Sequence, residues 1–419
     1  MAKNNSTARN NERTCPPFVF FFLHACTAWP VGVVGLALSS SLVRAGVSVQ
    51  SVGSIIAANS FAFTLEFVWA PMVDASLTRR RWFAVGVAAM CACLIALLVA
   101  PWRAVEVPLL TGLAFCSASG AAIAAVAVKG AMAYEIPPAR LASASAYYAA
   151  GGTVSKAIAG GGTLWLLTHL SSRPLAAGLS VGVALLAGSW IERVSRTKSL
   201  PWRGVPAALV STVADLWRFI RTPGGILVAV MCVIPFGCGT EAGLIGAIAR
   251  EWEVTPDQLA SFGLLTALST TAGAMVGGWF SMRFGSWRAY LLFGWLLIAL
   301  VVGFAWSPRT PMWFLVVELA YRGVATASYA ILLGIVMKAI GKGAASTKAA
   351  VLWSLTNLAF AYPTLIEGAV HDRNGTVAML LTDAGLGIAS FGVLLTLAAV
   401  LKPQFVTASA RTAAVIASR

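Results

Sequence analysis

Arg79-Arg-Arg-Trp-Phe-Ala-Val-Gly-Val-Ala-Ala-Met-Cys-Ala-Cys-Leu-Ile-Ala-Leu-Leu-Val-Ala100 sets three arginines against nineteen uncharged residues, Trp82 to Ala100. About 20 such residues cross a hydrocarbon core as a helix. Flanking cations mark one membrane face, and a tryptophan at the span end fits an interfacial belt. The whole 419-residue chain is built this way, being 58% hydrophobic and only 11% charged. Soluble domains carry roughly 25% charged residues.

Working outward, apolar runs lie near Phe18 to Leu38, Val52 to Met72, Trp82 to Ala100, Val107 to Val128, Ser143 to Leu167 and Leu175 to Ile191. Six more lie near Gly225 to Ile248, Ala260 to Ser281, Ala289 to Trp306, Met312 to Met337, Ala349 to Val370 and Leu381 to Leu401. The pattern predicts an all-α membrane protein of twelve spans in two pseudo-symmetric six-helix bundles, 18–191 and 225–401. Residues 1–17 and 402–419 read as tails. Residues 192–224 read as a linker in which Leu209, Val213, Leu216, Trp217 and Ile220 recur at helical spacing, as in an amphipathic surface helix. Strand-length polar and apolar alternation is absent, which argues against a barrel.

The net charge of +15 reports topology rather than nucleic-acid binding, because the cations sit in short clusters between spans. With both termini on one face, that face collects 22 Lys and Arg, Lys129 among them. The other face collects six: Arg44, Arg103, Arg173, Arg250, Arg309 and Arg373. The bias predicts cytoplasmic termini in an inner membrane. Lys156 and Arg322 remain inside spans. The seven cysteines (15, 26, 91, 93, 116, 232, 238) show no metal-ligand spacing, so no metal and no cofactor are expected.

Two features repeat between the halves. Pro30, Gly32 and Gly35 interrupt span 1, while Pro235, Gly237 and Gly239 interrupt span 7 at the equivalent depth. Matched interruptions point to a transport site, since freed backbone groups in a membrane must line a cavity. After spans 2 and 8 come Ala70-Pro-Met-Val-Asp74 with Arg79, Arg80 and Arg81, and Gly278-Trp-Phe-Ser-Met-Arg283-Phe-Gly285 with Arg288. Both resemble the major facilitator loop signature, Gly-x-x-x-Asp-Arg-x-Gly-Arg-Arg, with Met282 in place of the second acid. The resemblance implies a secondary transporter in which Asp74 and these arginines, with Glu66 in the same network, gate the conformational change.

Within that superfamily, Phe67-Val-Trp-Ala-Pro-Met-Val-Asp74, Glu135-Ile-Pro-Pro-Ala-Arg140 and Gly160-Gly-Gly-Thr-Leu-Trp165 resemble the AmpG-like permeases. That branch imports anhydromuropeptides and has relatives that move acetyl-CoA or siderophores. It usually carries a Lys where this chain has Glu66, and muropeptide permeases have acids in span 4 where this chain has Ala or Lys129. The resemblance implies a monomeric, proton-coupled importer of a medium-sized polar solute such as a muropeptide or siderophore. An exporter of small amphipathic compounds is the alternative.

Ionisable groups at membrane depth normally face a cavity or each other. Glu66, Lys156 and Glu241 stand alone in their helices, whereas Glu318 and Arg322 share a helix face at a spacing of four. His24 reads as a hydrogen-bonded core histidine or a proton carrier. Asn59 and Asn357 read as cavity or interhelical hydrogen-bonders. Glu241, following the span 7 interruption, is the leading candidate for a coupling or substrate-contacting acid. A membrane-embedded enzyme should show clustered acids or a His/Asp/Ser constellation, but the histidines (24, 169, 371) are dispersed and no Asp-rich run exists. No phosphate loop of a primary pump occurs either.

Overall fold

A computed structural model of the chain describes residues 15–75, 77–194, 214, 217–236, 243–340 and 345–402. No strand occurs among them, and the helices make twelve spans in two bundles of six. Span 2 comprises Val49–Thr64 and Glu66–Ala75, span 3 Arg79–Val99, span 4 Val107–Glu135 and span 6 Arg173–Gly188. Pro256–Phe284, Ser286–Ala305 and Pro311–Ile340 are spans 8, 9 and 10. Spans 11 and 12 share the stretch Ala345–Leu401, broken at Gly375 with φ 80° and ψ 178°. Only glycine adopts that conformation without strain.

Starts and stops follow from local chemistry. Ser48, Thr78, Ser172, Thr222 and Thr255 cap helices by accepting backbone N–H bonds. Pro223 and Pro256 stand in first turns, where a missing N–H costs nothing. Leu186, Leu268 and Met275 are more than two-thirds exposed, as suits side chains facing lipid.

Three spans are irregular. Span 1 bends by 48° between Val19–Thr27 and Trp29–Arg44, where Pro30 removes a backbone donor, and continues through a π-helical turn, Val33–Leu38. It reaches Arg44 rather than stopping at Leu38. The Ser39 and Ser41 hydroxyls fold back onto the Gly35 and Ala37 carbonyls, which makes this polar stretch compatible with helix. Span 5 runs through Pro138–Ala157, a π-helical turn Ile158–Gly162, and Thr163–His169. The π turns of spans 1 and 5 pack together. Span 7 comprises Pro223–Val233 and Leu244–Ile248, with the helix broken at Ile234 and Pro235 and resuming after Gly243. Gly237, Gly239 and Glu241 lie outside the described residues, as do residues 195–213 and 215–216 of the linker.

Twelve crossings put Cys15 and Lys402, the first and last described residues, at one face, here termed the terminal face. Spans 1, 2, 5 and 7, 8, 11 form the contact between halves: span 2 packs on span 11, the end of span 1 on span 7, and span 5 on span 8.

Candidate functional site

The two halves meet at the face opposite the termini. Backbones close to contact there because glycines leave no side chain between them. A methyl group at Gly53 would stand 2.8 Å from the Thr364 carbonyl, and one at Gly161 2.5 Å from the Ala260 carbonyl. Gly243, at φ +129°, lies against Gly35. Polar contacts reinforce this seal. The Asp372 carboxylate accepts from the amides of Val49 and Gln50, both at 3.1 Å, while Ser48 accepts from Ser51. The orphan donors opening span 2 are thus satisfied largely by an acid of the other half. Arg44 donates to the Val254 carbonyl at 3.3 Å, and His169 stands 3.8 Å from Asp257.

Behind Asp372, His371 stands 3.2 Å from both the Asp372 and Glu251 carboxylates, and Thr376 donates to Glu251. Hydrogen bonding to Glu251 raises the His371 pKa against the opposing effect of burial, and Asp372 adds to the rise.

Deeper, toward the terminal face, side chains from several spans converge. Lys129 of span 4 donates to Glu66 of span 2 at 2.6 Å. Tyr148 of span 5 and Tyr329 of span 10 lie within Coulombic range of that ammonium. His24 of span 1 stacks on the Tyr148 ring at 3.7 Å, and its Nδ1 stands 2.6 Å from the Tyr148 carbonyl. Both Lys129 and Lys156 act electrostatically on His24. At 1.5 Å per residue, Glu66, Lys129, Tyr148 and Tyr329 sit about 9 to 17 Å inside the terminal-face ends of their helices. A charge pair held by the N-terminal half thus lies within Coulombic range of a tyrosine of the C-terminal half, on the side away from the seal.

This arrangement corrects two expectations. Glu66 has a partner on another helix, Lys129, and Lys129 is not a loop cation. Span 4 extends to Glu135, which places Lys129 inside it.

The sequence matches the Major Facilitator Superfamily over residues 20–363. The chain belongs to that superfamily. Its fold is similar to that of a D-xylose–proton symporter (TM-score 0.71, 11% identity, covering 90% of this chain and 95% of the other). It is similar also to a peptide transporter POT in complex with sulfate (0.69, 13%, 92% and 94%) and to the nucleoside transporter NupG (0.65, 12%, 91% and 98%). No curated protein matches the chain. At these identities the likeness establishes the fold alone, and it is the superfamily match that makes the chain a multi-pass membrane transporter.

The other residues of this facilitator that the sequence singles out are dispersed. Arg322 donates to Glu318 at 2.8 Å. Glu318 lines a small cavity with Ile245, Val301, Phe304, Tyr321 and Leu380, all within the C-terminal half. Lys156 is exposed beside the span 5 π turn, and its backbone abuts Gly32. Asn59 is buried with its Oδ1 lacking a hydrogen-bond partner among the described residues, and Asn357 donates to the Trp353 carbonyl at 3.3 Å. Asp74 ends span 2, with its side chain outside the description.

Of the loop arginines, Arg79 is buried, and Arg81, Arg283 and Arg288 are exposed or nearly so at helix starts and ends. Arg80 donates to the Val194 and Glu192 carbonyls, tying span 3 to the end of span 6 within one half. Buried Glu367 of span 11 and Asp383 of span 12 are absent from the sequence-derived set. Their only signal is an isolated acid inside an apolar run. Among the described residues no group of His, Cys, Asp or Glu has metal-holding geometry.

Proposed function

We propose that this facilitator is a proton-coupled importer of the AmpG-like branch, acting as a monomer on a medium-sized polar solute such as a muropeptide or siderophore. The observation that carries the reading is the asymmetry of the inter-half contact. The halves are sealed by glycines and the Asp372 cap at one face, with the Glu66–Lys129 pair and Tyr329 within Coulombic range of each other on the other side of that seal. Such a molecule exposes its centre to one side at a time, as secondary transport requires.

The Lys and Arg bias puts the termini, and hence the accessible side, in the cytoplasm of an inner membrane, with residues 1–17, 192–224 and 402–419 cytoplasmic. The proposed gate is Asp74 with the arginines around it. In the proposed solute and proton pathway are Glu241, Lys156, His24, Asn59, Asn357 and the Glu318–Arg322 pair, beside the interruptions at Pro30, Gly32, Pro235, Gly237 and Gly239. Glu241 is the proposed coupling or substrate-contacting acid. Uptake and growth of a deletion strain supplied with muropeptides or ferric siderophores test the reading. Loss of one uptake activity, restored by the wild-type chain, is expected, whereas unchanged uptake of both solute classes overturns the substrate assignment.

A further inference from the structure

Lys129 and Glu66 are unequal partners. Exposure of the side chain is 28% for Lys129 and 8% for Glu66. Tyr329, on the opposite half and within Coulombic range of the ammonium, is 39% exposed. The lysine side chain is therefore the more accessible of the two, and the carboxylate the more buried. A solute reaching the pair meets Lys129 first.

We infer that Lys129 and Glu66 form an exchange site, at which a carboxylate or phosphate group of the solute takes Lys129 and the displaced Glu66 takes up a proton. The inference deepens the transporter reading and rests on it. A buried ammonium needs one counter-charge, and the pair as it stands is neutral. Adding a second anion leaves a net negative charge at low dielectric, which a proton removes. Glu66 is the group to receive it, because it is the more buried carboxylate and has just lost its ammonium. In the balance, one anionic group and one proton enter together. An O–H bond forms on the Glu66 carboxyl, the proton comes from water, and Lys129 stays charged throughout.

The groups acting on Lys129 include no second cation, and Lys156 of span 5 acts on His24. Span 5 brings Tyr148 and span 10 brings Tyr329, both neutral phenols. Span 1 brings His24, held on the Tyr148 carbonyl. Span 3 brings Arg79 at its terminal-face start. Span 11, which packs along span 2, carries no charged residue between 351 and 366.

The test uses the detergent-purified full chain and thermal stabilisation by two small probes at constant ionic strength, sulfate for a phosphate-type group and formate for a carboxylate. For the wild type, one-proton linkage makes the apparent affinity of the better probe tighten by up to about tenfold per pH unit as pH falls. Glu66→Gln should bind that probe about tenfold or more tightly than wild type at about pH 8, with no pH dependence. Lys129→Gln, with Glu66 intact, should lose the effect. Lys129→Arg, which keeps the charge, should retain the linkage. A wild type that binds neither probe, or binds with an affinity independent of pH, overturns the inference. So does a Lys129→Gln variant that binds like wild type. Solute uptake that persists in vesicles without this linkage removes only the exchange site. Linkage without uptake of any candidate solute removes the transporter reading instead.

Discussion

Replacing Asp372 by alanine should release the seal between the halves. The carboxylate accepts two backbone amides of span 2 at 3.1 Å. Losing a helix cap costs about 0.5–2 kcal/mol, and charge-assisted bonds lie at the stronger end. This cap exists only while the halves touch at the face opposite the termini, so the cost falls on the closed conformer alone. At 1.4 kcal/mol per factor of ten, the ratio of open to closed should rise about 2- to 30-fold. Spin labels at Val105→Cys and Met312→Cys, both exposed at that face on different halves, report the change as a longer inter-label distance in a cysteine-free background. Asp372→Asn, which keeps a capping oxygen without the charge, should fall between. Unchanged distance distributions in Asp372→Ala would refute the claim that this cap holds the halves together.

Other expectations follow from the same geometry. His371, its pKa raised above 6.5 by Glu251 and Asp372, stabilises the turn fully below that ordinary value and loses the contribution as pH rises through the raised one. The melting-temperature difference between wild type and His371→Gln should therefore be large at acidic pH and shrink at alkaline pH, and a constant difference contradicts this. Gly161→Leu inserts a side chain where even a methyl group would stand 2.5 Å from the Ala260 carbonyl. It should move the same spin-label pair apart, while Gly178→Leu, where nothing lies within 4 Å, should not. Glu241→Gln should abolish accumulation of solute against its gradient while leaving exchange intact. Normal accumulation with an unchanged response to uncouplers would show that Glu241 is not the coupling acid.

Much of the fold is legible because crossing a membrane imposes one length and one composition on each span. The matched Pro and Gly of spans 1 and 7 are legible for the same reason, since a helix interrupted in lipid is rare enough to notice. The site is less so. Glu66 and Lys129 each stand out in the sequence as a departure from the AmpG-like pattern, yet 63 residues separate them and nothing local shows that they face each other. Lys129 lies in the last turns of a helix longer than its apolar run, so it reads as a loop cation. The contacts of Asp372 with Val49 and Gln50 span more than 300 residues and depend on how the halves close. Tyr148 and Tyr329 carry no sequence signal, because tyrosines in spans are as readily packing residues. Ser39 to Ser41 end the apparent run of span 1 only until their hydroxyls are seen bonding back along the helix.

Solute accumulation by the purified chain in liposomes, driven by an imposed proton gradient, tests the central claim most directly. A carboxylate- or phosphate-bearing candidate should accumulate when the gradient is present and drain when an uncoupler collapses it, and Glu66→Gln should lose the dependence on the gradient. Equal accumulation with and without the gradient, at a level no higher than in liposomes lacking the protein, would contradict it.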